Sequence, residues 1–178
     1  MRLILLLCMT LGFEFAYALP TAEVRCEKQD CLKYGWSTRI PRQARSTFTE
    51  CIDLDCAKNG WRTHDRGAVL DVFCIGEGCF VDGWREIASV GGYSNLYECN
   101  SDVDSEDAAP DCMKYGWTGR GPASRERTEC LGDGCKTNGW VTRLPYGRQA
   151  RSICRVGYDE KKKQNISDCF RFGWDQFD

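Results

Sequence analysis

An apolar run from Leu3 to Leu11 opens the chain, introduced by Met1 and Arg2 and followed by the small-residue pattern Ala16-Tyr17-Ala18. A short basic start, an apolar stretch too brief for the roughly 20 residues of a membrane helix and an A-x-A-like end predict a secretory signal peptide over residues 1–18. Beyond it, the hydrophobic positions come in short runs. Ser37-Thr38-Arg39-Ile40, Thr47-Phe48-Thr49, Val69-Leu70-Asp71-Val72-Phe73, Asn95-Leu96-Tyr97 and Val141-Thr142-Arg143-Leu144 are β-formers bounded by Gly, Pro or charged turns, the signature of short strands. No stretch carries a helical period, so an all-β fold is expected.

Between these runs one signature recurs six times, C-x4-C-x3-G-W. It reads Cys26, Cys31, Gly35, Trp36; Cys51, Cys56, Gly60, Trp61; and Cys74, Cys79, Gly83, Trp84. It resumes with Cys99, Cys112, Gly116, Trp117; Cys130, Cys135, Gly139, Trp140; and Cys154, Cys169, Gly173, Trp174. In the fourth and sixth copies the gap between the cysteines widens. A longer period lies over the short one. Copies one and four share K-Y-G-W and an aspartate before the second cysteine, copies two and five share T-E-C and N-G-W, and copies three and six share C-F. This pattern predicts a duplicated three-copy unit, with modules over residues 19–95 and 96–178. The Gly91-Gly92-Tyr93-Ser94-Asn95 stretch supplies the turn between them. A single six-hairpin, trefoil-like ring is the alternative, because one copy alone cannot bury an apolar face.

Twelve cysteines follow the expected signal peptide, an even number that reads as six disulfides in a secreted chain. Zinc fits poorly, since the spacing is not C-x2-C and His64 is the only histidine. The segment between copies is nearly constant in length while the segment inside a pair varies, and insertions are tolerated at loop tips whose ends stay together. Pairing within each copy is therefore expected, with pairing between neighbouring copies as the rival. The glycine of each G-W is expected to take a positive φ or to let the ring approach the backbone. The tryptophan is then expected to pack on a disulfide; the other role open to it is a platform for sugar rings.

Net charge is only −2, but it is sorted by position. The residues inside the six cysteine pairs hold fourteen Asp and Glu against five Lys and Arg, whereas the rest of the chain after Ala18 holds eleven against eighteen. Acidic loop tips and basic strands follow, with Arg42, Arg45, Arg143, Arg148 and Arg151 as candidate ligands for an anionic partner.

Other chemistry is sparse. His64 stands beside Asp65 with no nucleophile motif, and no cofactor or metal motif is present. The Asp102–Asp107 run lacks the glycine and closing glutamate of a calcium loop. The short loops between cysteines are acidic, unsuited to inhibiting trypsin-like proteases, and Arg155 is the one arginine inside a pair. R-Q-A-R-S occurs at Arg42–Ser46 and Arg148–Ser152, where R-x-x-R convertase cleavage would remove the first and last copies. Asn165-Ile166-Ser167 is an N-glycosylation sequon. The expected function is a secreted, non-enzymatic binding or effector module. Its partner would be an extracellular protein or anionic glycan, with no nucleic acid and no membrane span. A matrix or coat component and a multivalent carbohydrate-binding protein are the alternatives.

Overall fold

The structure, a computed structural model, describes residues 19–102, 108–122 and 125–178; the expected signal peptide lies outside them. Twelve antiparallel strands close into one barrel. They are β1 (Ala22–Cys26), β2 (Trp36–Ile40), β3 (Arg45–Cys51), β4 (Trp61–Asp65), β5 (Ala68–Cys74) and β6 (Trp84–Ala88), then β7 (Ser94–Cys99), β8 (Trp117–Arg120), β9 (Arg125–Cys130), β10 (Trp140–Arg143), β11 (Gln149–Cys154) and β14 (Trp174–Phe177). Each strand pairs with its sequence neighbour, and β14 closes the circle between β11 and β1, with Val24 opposite Trp174. A separate hairpin of β12 (Val156–Asp159) and β13 (Gln164–Ser167) fills the long sixth loop. Closure leaves the barrel without an unpaired edge.

The six-hairpin ring is thus the architecture, and the expected boundary at residues 95 and 96 is not a structural one. Both residues lie in β7, which pairs with β6 on one side and β8 on the other. Three hairpins cannot close a barrel over six indoles by themselves, so the two halves share one core. Gly91, Gly92 and Tyr93 turn the chain from β6 into β7.

The repeat signature translates directly into geometry. The first cysteine of each copy ends a strand, and the tryptophan starts the next. The six disulfides join Cys26–Cys31, Cys51–Cys56, Cys74–Cys79, Cys99–Cys112, Cys130–Cys135 and Cys154–Cys169. All six loops project from one end of the barrel, since they follow alternate strands. In five copies the second cysteine opens a single helical turn: α1 (Cys31–Tyr34), α2 (Cys56–Asn59), α3 (Cys112–Tyr115), α4 (Cys135–Asn138) and α5 (Cys169–Phe172). Four residues are too few to show a period in sequence. Asp30, Asp55, Asp111 and Asp168 cap four of these turns through their side chains, which accounts for the aspartate before the second cysteine. The first-cysteine sulfur of each copy lies 3.2–3.6 Å from a carbonyl oxygen of the preceding copy, Cys26 touching Cys169 to complete the circuit. Disulfide sulfur carries no proton, so these are packing contacts.

Inside, the tryptophans form a closed ring. Successive indole centroids, Trp36–Trp61–Trp84–Trp117–Trp140–Trp174 and back to Trp36, are 5.1–6.1 Å apart with planes inclined at 51–61°. That inclination is close to a sixth of a full turn, as expected for rings standing parallel to the barrel axis. Tilted contacts of this kind suit the aromatic quadrupole. The tryptophans share core clusters with the cystines, but their principal partners are one another. Beneath them sits a second layer from the alternate strands, Val24, Thr49, Val72, Tyr97, Thr128 and Ser152, none more than 6 % exposed.

The glycine before each tryptophan joins the two layers. Gly139 has φ +86°, and a Cβ there would lie 2.0 Å from the Ser152 carbonyl oxygen. The glycines of the other five copies have the same φ sign and the same clash with the second-layer carbonyl of the copy that follows around the barrel. Gly67, in the β4–β5 turn, also has a positive φ, +88°, but open space around it. Gly67→Ala should therefore cost only about 1–2 kcal/mol, the left-handed penalty of an L-residue. Gly139→Ala must add a backbone displacement to that penalty and should cost clearly more, as read by chemical denaturation of the oxidised protein.

Candidate functional site

Alternation along the strands sends one set of side chains into the barrel and the other to solvent. The outer set is largely charged, including Arg39, Glu50, Arg62, Arg85, Glu98, Arg127 and Arg143, unlike the apolar belt of a lipid-facing barrel. No helix among the described residues is long and apolar enough to cross a membrane.

A concentration of one charge lies on the outer face of β8, β9 and β10. Arg120 is directly opposite Arg125, and Arg127 directly opposite Arg143. Like charges placed in register across a sheet repel, and here four guanidinium groups border one concavity with Gly119, Gly121 and Pro122. Carboxylates moderate them: Glu126 lines the same concavity, and two others pair with the arginines. Glu98 lies 3.3 Å from Arg120, and Glu129 lies 3.2 Å from Arg127 and 3.1 Å from Arg143. These pairs are solvent-exposed, and such pairs contribute only about 0–1 kcal/mol.

The five arginines singled out from sequence do not form one site. Arg143 belongs to this concavity, and Arg151 extends the same outer face from β11, opposite Val141. Arg148 is exposed in the turn leading into β11. Arg42 and Arg45 lie on the far side, at the β2–β3 turn, because four strands separate β3 from β10 around the circle. Arg45 is also committed to Asp65, its Nε 2.9 Å from the carboxylate. Arg120, Arg125 and Arg127 escaped sequence reading, although the R-E-R alternation at 125–127 puts both arginines on one strand face.

The two R-Q-A-R-S segments are not equivalent. Measured from the following first cysteine, Arg45 and Arg148 occupy matching positions, so the motifs are three residues out of register. The bond after Arg151 lies within β11, paired on both sides, and Ser152 is buried. The bond after Arg45 lies at the start of β3, where Arg45 and Ser46 pair with β2 and the Arg45 side chain is held by Asp65.

Other candidates resolve individually. His64 is on the outer face, Nε2 3.1 Å from Glu50, while Asp65 faces the other way, so the two form no dyad. Arg155 is paired with Asp175 and is not presented on a loop. Asn165 is exposed on β13, opposite Tyr158. The acidic run falls mostly on residues 103–107, outside the described residues, and no metal-ligating cluster occurs among the described ones. The six indoles turn inward onto each other, Trp84 and Trp140 buried and the other four half-buried.

Below the second layer the barrel interior becomes polar. The Thr49 and Thr63 hydroxyls are 2.8 Å apart, and those of Thr128 and Thr142 are 2.9 Å apart. Glu86 receives hydrogen bonds from Tyr97 and Asn95, yet burial dominates and pushes its carboxyl above the ordinary range, with the Glu126 charge adding to the shift. The neutral acid is the form the fold favours. Glu86 therefore contributes its full stabilisation below its unfolded pKa, and this is lost as pH rises through the raised folded value. Glu86→Gln should raise the melting temperature at pH 7–8 and change it little near pH 4, in melting curves recorded across pH. The oxidised protein should also stay a single band with an R-x-x-R-specific protease that cuts the reduced, unfolded chain after Arg45 and Arg151.

Comparison with protein-family models, with curated proteins and with solved structures finds no match for this chain.

Proposed function

We propose that the protein is a secreted, non-enzymatic binding module whose β8–β10 outer face docks an anionic partner, foremost a sulfated glycan. Six disulfides support an oxidising, extracellular setting, and the exposed sequon asparagine is in keeping with it.

The observation that carries the reading is the in-register placement of Arg127 against Arg143 and of Arg120 against Arg125 around one concavity. The arrangement costs stability unless counter-charge is supplied, and the weak exposed pairs with Glu98 and Glu129 are readily displaced. A planar guanidinium matches sulfate and carboxylate oxygens with paired N–H donors, which a lysine ammonium does not. Arg120, Arg125, Arg127 and Arg143 all stand on paired strands, so little ordering of their backbone attends binding.

Heparin oligosaccharides are the probe. Binding should weaken steeply with added salt. The double variant Arg127→Glu/Arg143→Glu should lose at least about tenfold in affinity, whereas Arg42→Glu, across the barrel, should stay within about twofold of the parent. Calorimetry at two salt concentrations reads both. Salt-independent binding, or equal losses from the two variants, would remove the proposal.

A further inference from the structure

The tryptophan ring is not filled. Its edges of 5.1–6.1 Å make a near-regular hexagon, which puts opposite indoles roughly 10–12 Å apart across the axis. Two ring thicknesses leave a gap between them. The structure has a cavity of about 130 Å³ at this place, bounded entirely by apolar atoms of the six indoles, Leu32, Cys56, Phe80, Met113 and Phe170.

What covers the cavity is set by the residue after the second cysteine of each copy. Reading around the barrel, these are Leu32, Ala57, Phe80, Met113, Lys136 and Phe170. Copies three apart face each other across the axis of a six-copy ring. Phe80 and Phe170 do so directly, their rings 5.5 Å apart, and Leu32 and Met113 form the second opposed pair. The third pair is Ala57 and Lys136. Alanine has nothing beyond Cβ to extend, and Lys136 is exposed, its ammonium 3.9 Å from Asp168. Four large apolar side chains thus cover the cavity, and along the third diameter neither Ala57 nor Lys136 lines it. Cys56, adjoining Ala57, is the one cysteine that reaches the cavity wall.

We infer that this cavity is a binding site for a small, neutral apolar molecule of the size of benzene or toluene, admitted on the Ala57 side of the Phe80–Phe170 lid. The volume is close to that of an engineered apolar cavity of about 150 Å³ that stays dry and takes benzene or xenon. A wall without polar atoms offers water no partners, so an apolar guest displaces little or no bound solvent. The indoles supply tilted or stacked aromatic contacts that an aliphatic wall lacks. A charged guest is disfavoured, because no counter-charge lines the cavity and its desolvation would be uncompensated.

Toluene and benzene titrations of the full oxidised chain test the site, followed by the tryptophan Nε1–H resonances and by melting temperature. Saturable shifts of several of the six indole signals are expected, with a higher melting temperature at saturation. Ala57→Phe should weaken binding at least tenfold while keeping the parent's melting temperature without ligand. Should that variant fold poorly, Ala57→Leu carries the same expectation. Met113→Ala, which enlarges the cavity, should improve binding of toluene relative to benzene. Absence of saturable shifts up to the solubility limit of both probes would overturn the inference. So would unchanged affinity in a well-folded Ala57→Phe protein.

Discussion

Everything in this barrel depends on six indoles meeting one another around a common axis. A twelve-strand barrel of strands only four to seven residues long has a wide interior, and the aliphatic residues of this chain are too few to fill it. Tryptophan is the largest available side chain, and one from every second strand spans the space at a single level. The ring in turn dictates its surroundings. Each indole needs its strand to start close against the neighbouring strand's carbonyl, which only glycine permits at the preceding position. Each strand end needs its loop drawn back, which the cystine does. The signature C-x4-C-x3-G-W is thus one mechanical unit repeated six times, and its parts are not separable.

The six units are alike in backbone but not in side chains, and the differences follow the longer period. The threonine hydroxyl pairs occur in copies two and five, at Thr49–Thr63 and Thr128–Thr142, on opposite sides of the barrel. The residues over the tryptophan ring follow the same rule: a phenylalanine pair, a Leu32–Met113 pair, and the Ala57–Lys136 pair that covers least. A sixfold scaffold therefore carries a twofold pattern of chemistry, and the inner cavity takes its shape from that mismatch. The exterior breaks the symmetry further, with arginines concentrated on β8–β10 and exposed aromatic and aliphatic side chains such as Phe48, Phe73 and Ile87 on β3, β5 and β6.

The acidic loops show how charge counts mislead without geometry. Several of the carboxylates that make the loops negative are helix caps bonded to backbone N–H groups: Asp30, Asp55, Asp111 and Asp168. They are part of the architecture of the disulfide end. The basic residues, by contrast, gain meaning only from register. Arg143 is paired with an arginine on the next strand, whereas Arg45 is neutralised by Asp65 from the strand beside it, and nothing in the local sequence of either distinguishes them.

The sequence by itself determined the elements and their staples. Invariant spacing from cysteine to glycine to tryptophan marked the units, β-formers flanking them marked the strands, and variable spacing inside the pairs marked the disulfide loops. All of these are local, reaching no further than one hairpin. Closure was decided only in three dimensions, because the pairing of β14 with β1 joins residues at opposite ends of the chain and two three-hairpin modules would have used the same local signals. The inward turn of the indoles, the opposition of copies three apart and the assembly of the arginine concavity are all consequences of that closure. A period read along a line says which residues are alike; a closed circle of strands says which of them meet.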